Sequence, residues 1–414
     1  MSKKISLSKD KLIVFMGTMN AMPMMYALEL IDRGYDVIYF VDVPKDDILS
    51  RPENHFPSIS YPYPSWIVEI ILPRKTLLPL FPRLFAALYQ RKIARLVEKD
   101  IGCFVLNGFF SSLAPYLNKC SNKVSLSHGS DLDAWAYAKG VDVLGQTSRN
   151  ESISKYLPNS MSRLLIEKIV KAQYFGYTRS DSVVYFPEKF SKEGDEVIRT
   201  LVEKGVQYVP RYDISFEPLR GQSRKFRDPS KRLEIFSGVR FLFETFSEGN
   251  VGYNKGNDII IEGIAQYFLI NPDIRVHFVE KGEDVQSAKS LCKNLGIDGV
   301  VVWHKEMSFR KLLKLYQGVD ICFDQVGQHW IGAIGGYALW LGKPLIANPE
   351  PAVVAGVWPL DHPVCSAKTP DEVCACLIRL GNIEFRKEVS NNSKRFAEDY
   401  MGPEKALSRL FEFE

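Results

Sequence analysis

The sequence has no apolar run near the ~20 residues of a membrane span, no internal repeat and no low-complexity segment. It also lacks the Gly-x-Gly-x-x-Gly fingerprint of a dinucleotide site. Charge of one sign is not in excess: 53 Lys and Arg face 49 Asp and Glu, a formal net charge of +4. Bases interleaved with acids make no broad polyanion-binding field, so nucleic acid is not an expected partner. The seven cysteines (Cys103, Cys120, Cys292, Cys322, Cys365, Cys374 and Cys376) are odd in number and scattered. Only Cys374 and Cys376 lie close together, with no second pair to complete a zinc site. Buried free thiols in a reducing compartment, and no bound metal, are expected. The N-terminal lysines precede only a short apolar run, Leu12 to Met16. That run is too short for a signal peptide and reads as a first β-strand, so the expected location is the cytoplasm.

What is present is a chain built for two domains. A length of 414 residues suits a pair on the usual domain size. The 46% hydrophobic and 25% charged residues supply ample core for both. An apolar strand, Leu12 to Met16, meets Gly17, then a helix-like stretch to Arg33, then Gly34 and a second strand, Val37 to Val41. This is a βαβ opening, with Gly34 as the helix-ending residue. "CFVLNG" (Cys103 to Gly108), "KVSLSHG" (Lys123 to Gly129) and "SVVYF" (Ser182 to Phe186) continue it as an α/β domain with a mostly parallel sheet. The polar, basic stretch 217–232 reads as a linker. A second α/β unit starts at Leu233, with strands "LEIFSG", "RVHFVE", "GVVVWH", "DICFDQ" and "PLIAN". The expected division is 1–216, the linker 217–232, 233–385, and a helical segment 386–414 crossing back to the first domain. Paired domains of this class bind ligands beyond the carboxyl ends of their strands.

Four patterns stand at such strand ends. Gly17 and Thr18 follow the first strand, where bare amides and a helix start can approach an anion, or form an ordinary tight turn. His128, in "SHGSDLD", sits after a strand and before a glycine, as a ligand-facing or a merely structural imidazole. Gly238 and Arg240 follow the strand "LEIFSG", and Lys255 opens a later helix. Two cations delivered to one place suit a diphosphate, whereas either alone would be a solvated charge. The fourth is "DQVGQHWIGAIGGYALWLGKP" (Asp324 to Pro344), with five glycines and no acid after Asp324. Interior glycine costs a helix about 0.5–1 kcal/mol relative to alanine. The expected return is that Gly332, Gly335 and Gly336 let unhindered amides of the first helical turn face an anion, with Ala333 and Ile334 among the donor-binding residues; glycine-rich packing is the alternative.

One further stretch, residues 65–99, interleaves apolar residues with Arg74, Lys75, Arg83, Arg91, Lys92 and Arg95. It could rest on the inner face of a membrane, or be a core helix with a solvated basic side.

Taken in order, Arg240 after a strand-ending glycine, Lys255-Gly256 and the final Gly342-Lys343-Pro344 resemble the donor domain of GT-B glycosyltransferases. The match is to the large retaining group called glycosyltransferase family four. "YVPRYDISF" resembles that family's interdomain signature through Pro210, Asp213 and Phe216, and "SHGSDLD" resembles its acceptor-domain histidine segment. The resemblance implies two Rossmann-like domains facing each other across a cleft, and a nucleotide-diphosphate-sugar donor held by the second. It implies retaining transfer to a carbohydrate or lipid-linked acceptor in surface-polysaccharide or glycoconjugate synthesis, without metal or further cofactor. Arg240 and Lys255 would stabilise the leaving diphosphate, and His128 the transferred sugar. The sequence departs from the family where two glutamates are expected: His329 and Tyr337 hold those positions, with Trp330 beside the first as an apolar wall. That departure favours a second reading, a non-catalytic donor-binding or scaffold protein; a sugar-nucleotide epimerase on the same fold is a further alternative, which the Arg240 and Lys255-Gly256 pair argues against.

Overall fold

A computed structural model describes residues 4–148, 158–189, 191–211, 226–227, 232–245, 254–327, 331–354, 356 and 358–414. The chain divides into two compact units, Met1–Ser215 with Pro403–Glu414, and Phe216–Gly402.

In the N-terminal unit, short apolar runs become strands covered on both faces, the pattern a parallel sheet demands. They are β1 (Ile5–Leu7), β2 (Leu12–Met16), β3 (Val37–Val41), β4 (Ile67–Glu69), β5 (Ile101–Asn107), β6 (Asn122–Leu126), β7 (Ser182–Tyr185) and β8 (Gln207–Pro210). Seven of them form one parallel sheet in the order β4-β3-β2-β5-β6-β7-β8. Every residue of β2 and of β3 is buried. One core lies under the helix Pro23–Asp32, and a second under the helix Pro82–Leu96, which buries Ala86, Tyr89 and Ile93. The strand order reverses between β2 and β5, a switch point of the kind where open α/β sheets place ligands.

The second unit repeats the plan. Its strands are β9 (Leu233–Ser237), β10 (Ile274–Glu280), β11 (Val301–Lys305), β12 (Ile321–Phe323), β13 (Leu345–Ala347) and β14 (Cys365–Ser366). They pair in parallel in the order β11-β10-β9-β12-β13-β14. The helix Asn257–Ile270 buries Ile260, Ile261 and Ile264 and packs against the helix Pro370–Gly381. The last strand, β15 (Phe411–Phe413), pairs in parallel with β1, so the end of the chain belongs to the N-terminal unit. The helix Ile383–Tyr400 groups with the C-terminal unit, where Ser390 donates to the Gly342 carbonyl. The return therefore starts at Pro403, later than residue 386.

All seven cysteines are free thiols, five of them buried. Among the described residues no helix is long and apolar enough to cross a membrane. The sequence reading missed β4 and β8, each an edge strand of three or four residues. Such strands are too short to show a period of their own, and β4 is hidden inside the basic-apolar stretch 65–99.

The helix Pro370–Gly381 begins with a full capping box: the Thr369 side chain accepts from the Glu372 amide, and Glu372 reaches back to the Thr369 amide. Thr369→Ala should lower the stability of the C-terminal unit by about 1 kcal/mol. Denaturant melts of the two proteins measure the difference.

Candidate functional site

Polar side chains gather where strands of the N-terminal sheet end. Gly17, just past β2, has φ +96°, and a Cβ there would lie 2.7 Å from the Phe110 ring. The glycine is thus fixed by close packing at the turn. Thr18 is fully buried. Its amide and hydroxyl both donate to Asp42 Oδ1, at 2.9 and 2.7 Å, and Lys75 Nζ lies 3.3 Å from Asp42 Oδ2. The Thr18 amide, one of the backbone groups expected to approach an anion, is instead committed with its hydroxyl to holding the end of β3 beside β2.

His128 follows β6 and is half-buried. Arg211, just past β8 and buried, donates from Nη1 to His128 Nδ1 at 3.1 Å and to the Ser127 carbonyl at 3.0 Å. An arginine only donates, so Nδ1 accepts and the imidazole proton sits on Nε2. That nitrogen lies 3.3 Å from Asn107 Oδ1, and Asn107 spends its own amide nitrogen on the Met16 carbonyl. Burial, then the charges of Arg211 and Lys75, push the imidazole well below the usual histidine range. His128 is therefore a neutral hydrogen-bonding group of fixed tautomer. The next turn is anchored by Asp131, which accepts from the Ser127 hydroxyl, the His128 amide and the Tyr177 hydroxyl. Burial lifts its carboxyl to about 6 against those three donors.

In the C-terminal unit, β9 runs out through Gly238 to Arg240, whose side chain is exposed. The Lys255 amide donates to the Leu242 carbonyl at 2.8 Å, and its own carbonyl accepts from Val326 at 3.2 Å. Lys255 is thereby sewn between the exit of β9 and the exit of β12. Gly256 completes this seam with φ +68°; a Cβ would lie 2.7 Å from Val326 and 2.8 Å from the Gly327 amide. The Lys255 ammonium is lowered by burial; the Asp324 carboxylate pulls it up and the Arg240 guanidinium pushes it down. The two cations and Asp324 therefore share one neighbourhood.

The helix Ala333–Trp340 opens against the same place, since a Cβ on Gly238 would meet Ile334 Cδ1 at 3.2 Å. Its glycine amides, however, are already used. Buried Asp324 accepts from Gly332 at 2.6 Å and Gly335 at 3.0 Å through Oδ2, and from Gln325 at 2.8 Å through Oδ1. The expectation that Gly332, Gly335 and Gly336 leave their amides to an external anion is corrected: a carboxylate of the chain itself holds the first two, and the Gly332 carbonyl accepts from the third. Among the described residues the amides of Ala333 and Ile334 meet no acceptor, and both residues are half-buried. Tyr337 packs against Phe309 with ring centroids 4.8 Å apart, and burial pushes its phenol up to about 12. His329 and Trp330, with Asp213 and Phe216 of the interdomain signature, lie outside the described residues. Lys343 of the Gly-Lys-Pro turn is buried and donates to the Val319 carbonyl at 2.8 Å, a structural task.

No family model matches this chain, and no curated protein does. Solved structures do. Sucrose-phosphate synthase from Thermosynechococcus elongatus superposes with a TM-score of 0.57 at 12% identity, covering 97% of both chains. WaaG, a glycosyltransferase involved in lipopolysaccharide biosynthesis, gives 0.52 at 12% identity over 96% of this chain and 99% of its own. A putative UDP-N-acetylglucosamine 2-epimerase from Listeria monocytogenes gives 0.52 at 10% identity over 98% and 95%. The chain has the GT-B fold.

Within this GT-B chain the structure brings Gly238, Arg240, Lys255, Ala333 and Ile334 together beyond the ends of central strands of one sheet, and gathers Gly17, Thr18 and His128 beyond those of the other. Sequence reasoning missed Asp324 as an acceptor in the first group and Asp42, Asn107 and Arg211 in the second. For Asp42, Asn107 and Asp324 the signal was present, since each ends or follows a buried apolar run; Arg211 follows β8, which is too short and too mixed to show one.

Two predictions come from these contacts. The His128 imidazole should stay neutral as pH falls through 6.5, in histidine NMR. Its folded pKa lies below the unfolded value, so the folded chain binds fewer protons there, and stability falls as pH drops below 6.5. Arg211→Gln removes a cation and should raise the His128 pKa. In the other unit, a Cβ at position 335 would lie 2.5 Å from Asp324 Oδ2. Gly335→Ala should therefore destabilise the C-terminal unit by about 1–3 kcal/mol, measured by urea unfolding.

Proposed function

We propose that this chain is a glycosyltransferase that moves a sugar from a nucleotide-diphosphate donor to a carbohydrate or lipid-linked acceptor, with retention. The observation that carries the reading is the shared neighbourhood of Arg240, half-buried Lys255 and the first-turn amides of Ala333 and Ile334 at the exit of β9. Departure of a nucleotide diphosphate builds negative charge on phosphate oxygens. Fixed cations and helix amides stabilise that charge without reorganising, and they need no metal to do so. Gly238 lets the exit of β9 pack closely against Ile334 and Phe236, where a Cβ would lie 3.2 and 2.9 Å away, and Tyr337 of the same helix stands at the position of the later glutamate. His329 and Trp330 are assigned to the sugar side of the donor. In the N-terminal unit, His128 would meet the transferred sugar as a neutral donor–acceptor, and the turn at Gly17 and Thr18 would border it. Surface-polysaccharide or glycoconjugate synthesis at the cytoplasmic side of a membrane is the setting that suits such an acceptor.

A second reading, a protein that binds the donor without turning it over, is favoured by Tyr337 and His329 at the positions of the two glutamates. A phenol cannot accept from both ribose hydroxyls as a carboxylate does.

Incubation with a panel of nucleotide sugars and acceptors, followed by assay of free nucleotide diphosphate, separates the two. Release is expected, and it should survive chelation by EDTA. Arg240→Ala and Lys255→Ala should each lower turnover by about 100-fold or more while leaving the thermal melt unchanged. Donor binding without release would favour the non-catalytic reading, an isomerised sugar nucleotide the epimerase. Wild-type rates from both variants would remove the diphosphate assignment.

A further inference from the structure

Two helices of the N-terminal unit show water what a soluble surface normally hides. The helix Pro82–Leu96 turns Ala86, Tyr89 and Ile93 inward. Its outer stripe, at spacings of four, three and four, is Leu84, Leu88, Arg91 and Arg95, with the leucines 57% and 48% exposed. Its fifteen residues hold four bases and no acid. The helix Asn159–Tyr177 repeats the arrangement: Met161, Leu164, Leu165 and Phe175 are exposed, with Lys168 and Lys171 among them. Leu164, at 64%, borders an open groove lined by this helix alone. Phe81, 52% exposed at the foot of the first helix, joins the two stripes, since Lys168 Nζ stands 5.7 Å from its ring centre.

The backing is firm. Gln173 donates to the Gly108 carbonyl at 2.9 Å, and Gly176 sits so close to Ser111 that a Cβ would lie 2.1 Å from its carbonyl oxygen. The second helix adds three bases, Arg163, Lys168 and Lys171, and one acid, Glu167. Glu167 is itself paired with Arg163 and Lys171. Together the helices carry seven bases against one acid.

Charge and apolarity together select the occupant. A second copy of the same face would oppose positive with positive. A nucleic acid would answer the bases but give exposed leucines and phenylalanines nothing to enter. An anionic bilayer answers both, because basic side chains meet headgroups while apolar ones pass below them. We propose that these two helices form the face by which the N-terminal unit lies on an anionic phospholipid surface, with Leu84, Leu88, Leu164 and Leu165 entering the headgroup–acyl boundary. The face is narrower and wider than the stretch 65–99 expected from sequence. Residues 67–69 are a sheet strand and Lys75 is held by Asp42, whereas the second helix lies outside that stretch altogether. The proposal is independent of sugar transfer, since vesicle binding needs neither donor nor acceptor.

The test is co-sedimentation of the full chain with vesicles of phosphatidylcholine alone and of phosphatidylcholine mixed with phosphatidylglycerol. Binding should be about tenfold or more tighter on the anionic vesicles and should weaken with added salt. Leu84→Ser with Leu164→Ser, both at exposed positions, should weaken it at an unchanged melting temperature. Arg91→Glu with Lys168→Glu should lower it by about tenfold or more, a second route that does not touch the apolar residues. Equal binding to neutral vesicles, or unaltered binding by both double variants, overturns the proposal. Self-association of the wild-type chain that the leucine variants abolish would also overturn it, in favour of a second copy.

Discussion

The Asp324 carboxylate is shut away from water at the exit of β12, and the mouth of the C-terminal sheet is arranged around it. Burying a carboxylate costs several kcal/mol unless donors replace its hydration. Here they are the amides of Gln325, Gly332 and Gly335, with the Lys255 ammonium contributing its field. The grip fixes where the helix Ala333–Trp340 begins and which way its first turn faces. It also explains the glycine at 335, where any side chain would strike the carboxylate. Among the described residues the amides of Ala333 and Ile334 are left outside this grip, beside the strand exit that carries Arg240.

The same constraint shapes the N-terminal unit in milder form. A parallel sheet covered on both faces admits apolar residues along its strands and polar ones only where the strands stop. Thr18, Asp42, Asn107, His128 and Arg211 are five such stops, and their mutual hydrogen bonds leave little freedom in the group. Arg211 decides the tautomer of His128 as well as lowering its affinity for protons. A histidine so placed is a positioned hydrogen-bonding group; it is poorly suited to carrying a proton near neutral pH.

Much of this was legible in the residues. Leu12–Met16 and Val37–Val41 are strands at the bounds their apolar runs suggest, and the turn residues Gly17 and Gly34 punctuate them. Lys255-Gly256 reads correctly as a helix opening. The cluster around Arg240 was legible as residues but not as geometry, because the seam between residues 255 and 326 joins segments seventy positions apart. β4 and β8 were not legible, being too short for periodicity.

The glycines of 332–336 mark the limit most clearly. Sequence determined that bare backbone was needed there, because glycine inside a helix has to be compensated by a close approach. It also determined the two parallel sheets, whose buried runs have no other stable use. What approaches the glycines, an internal carboxylate eight and eleven residues earlier, was decided only by the tertiary structure. The same holds for the exposed apolar stripe on Asn159–Tyr177. Its leucines have the spacing of a core face, and a residue's spacing cannot say whether another helix covers it. Burial is a property of the assembled fold, because it depends on which neighbours the rest of the chain brings.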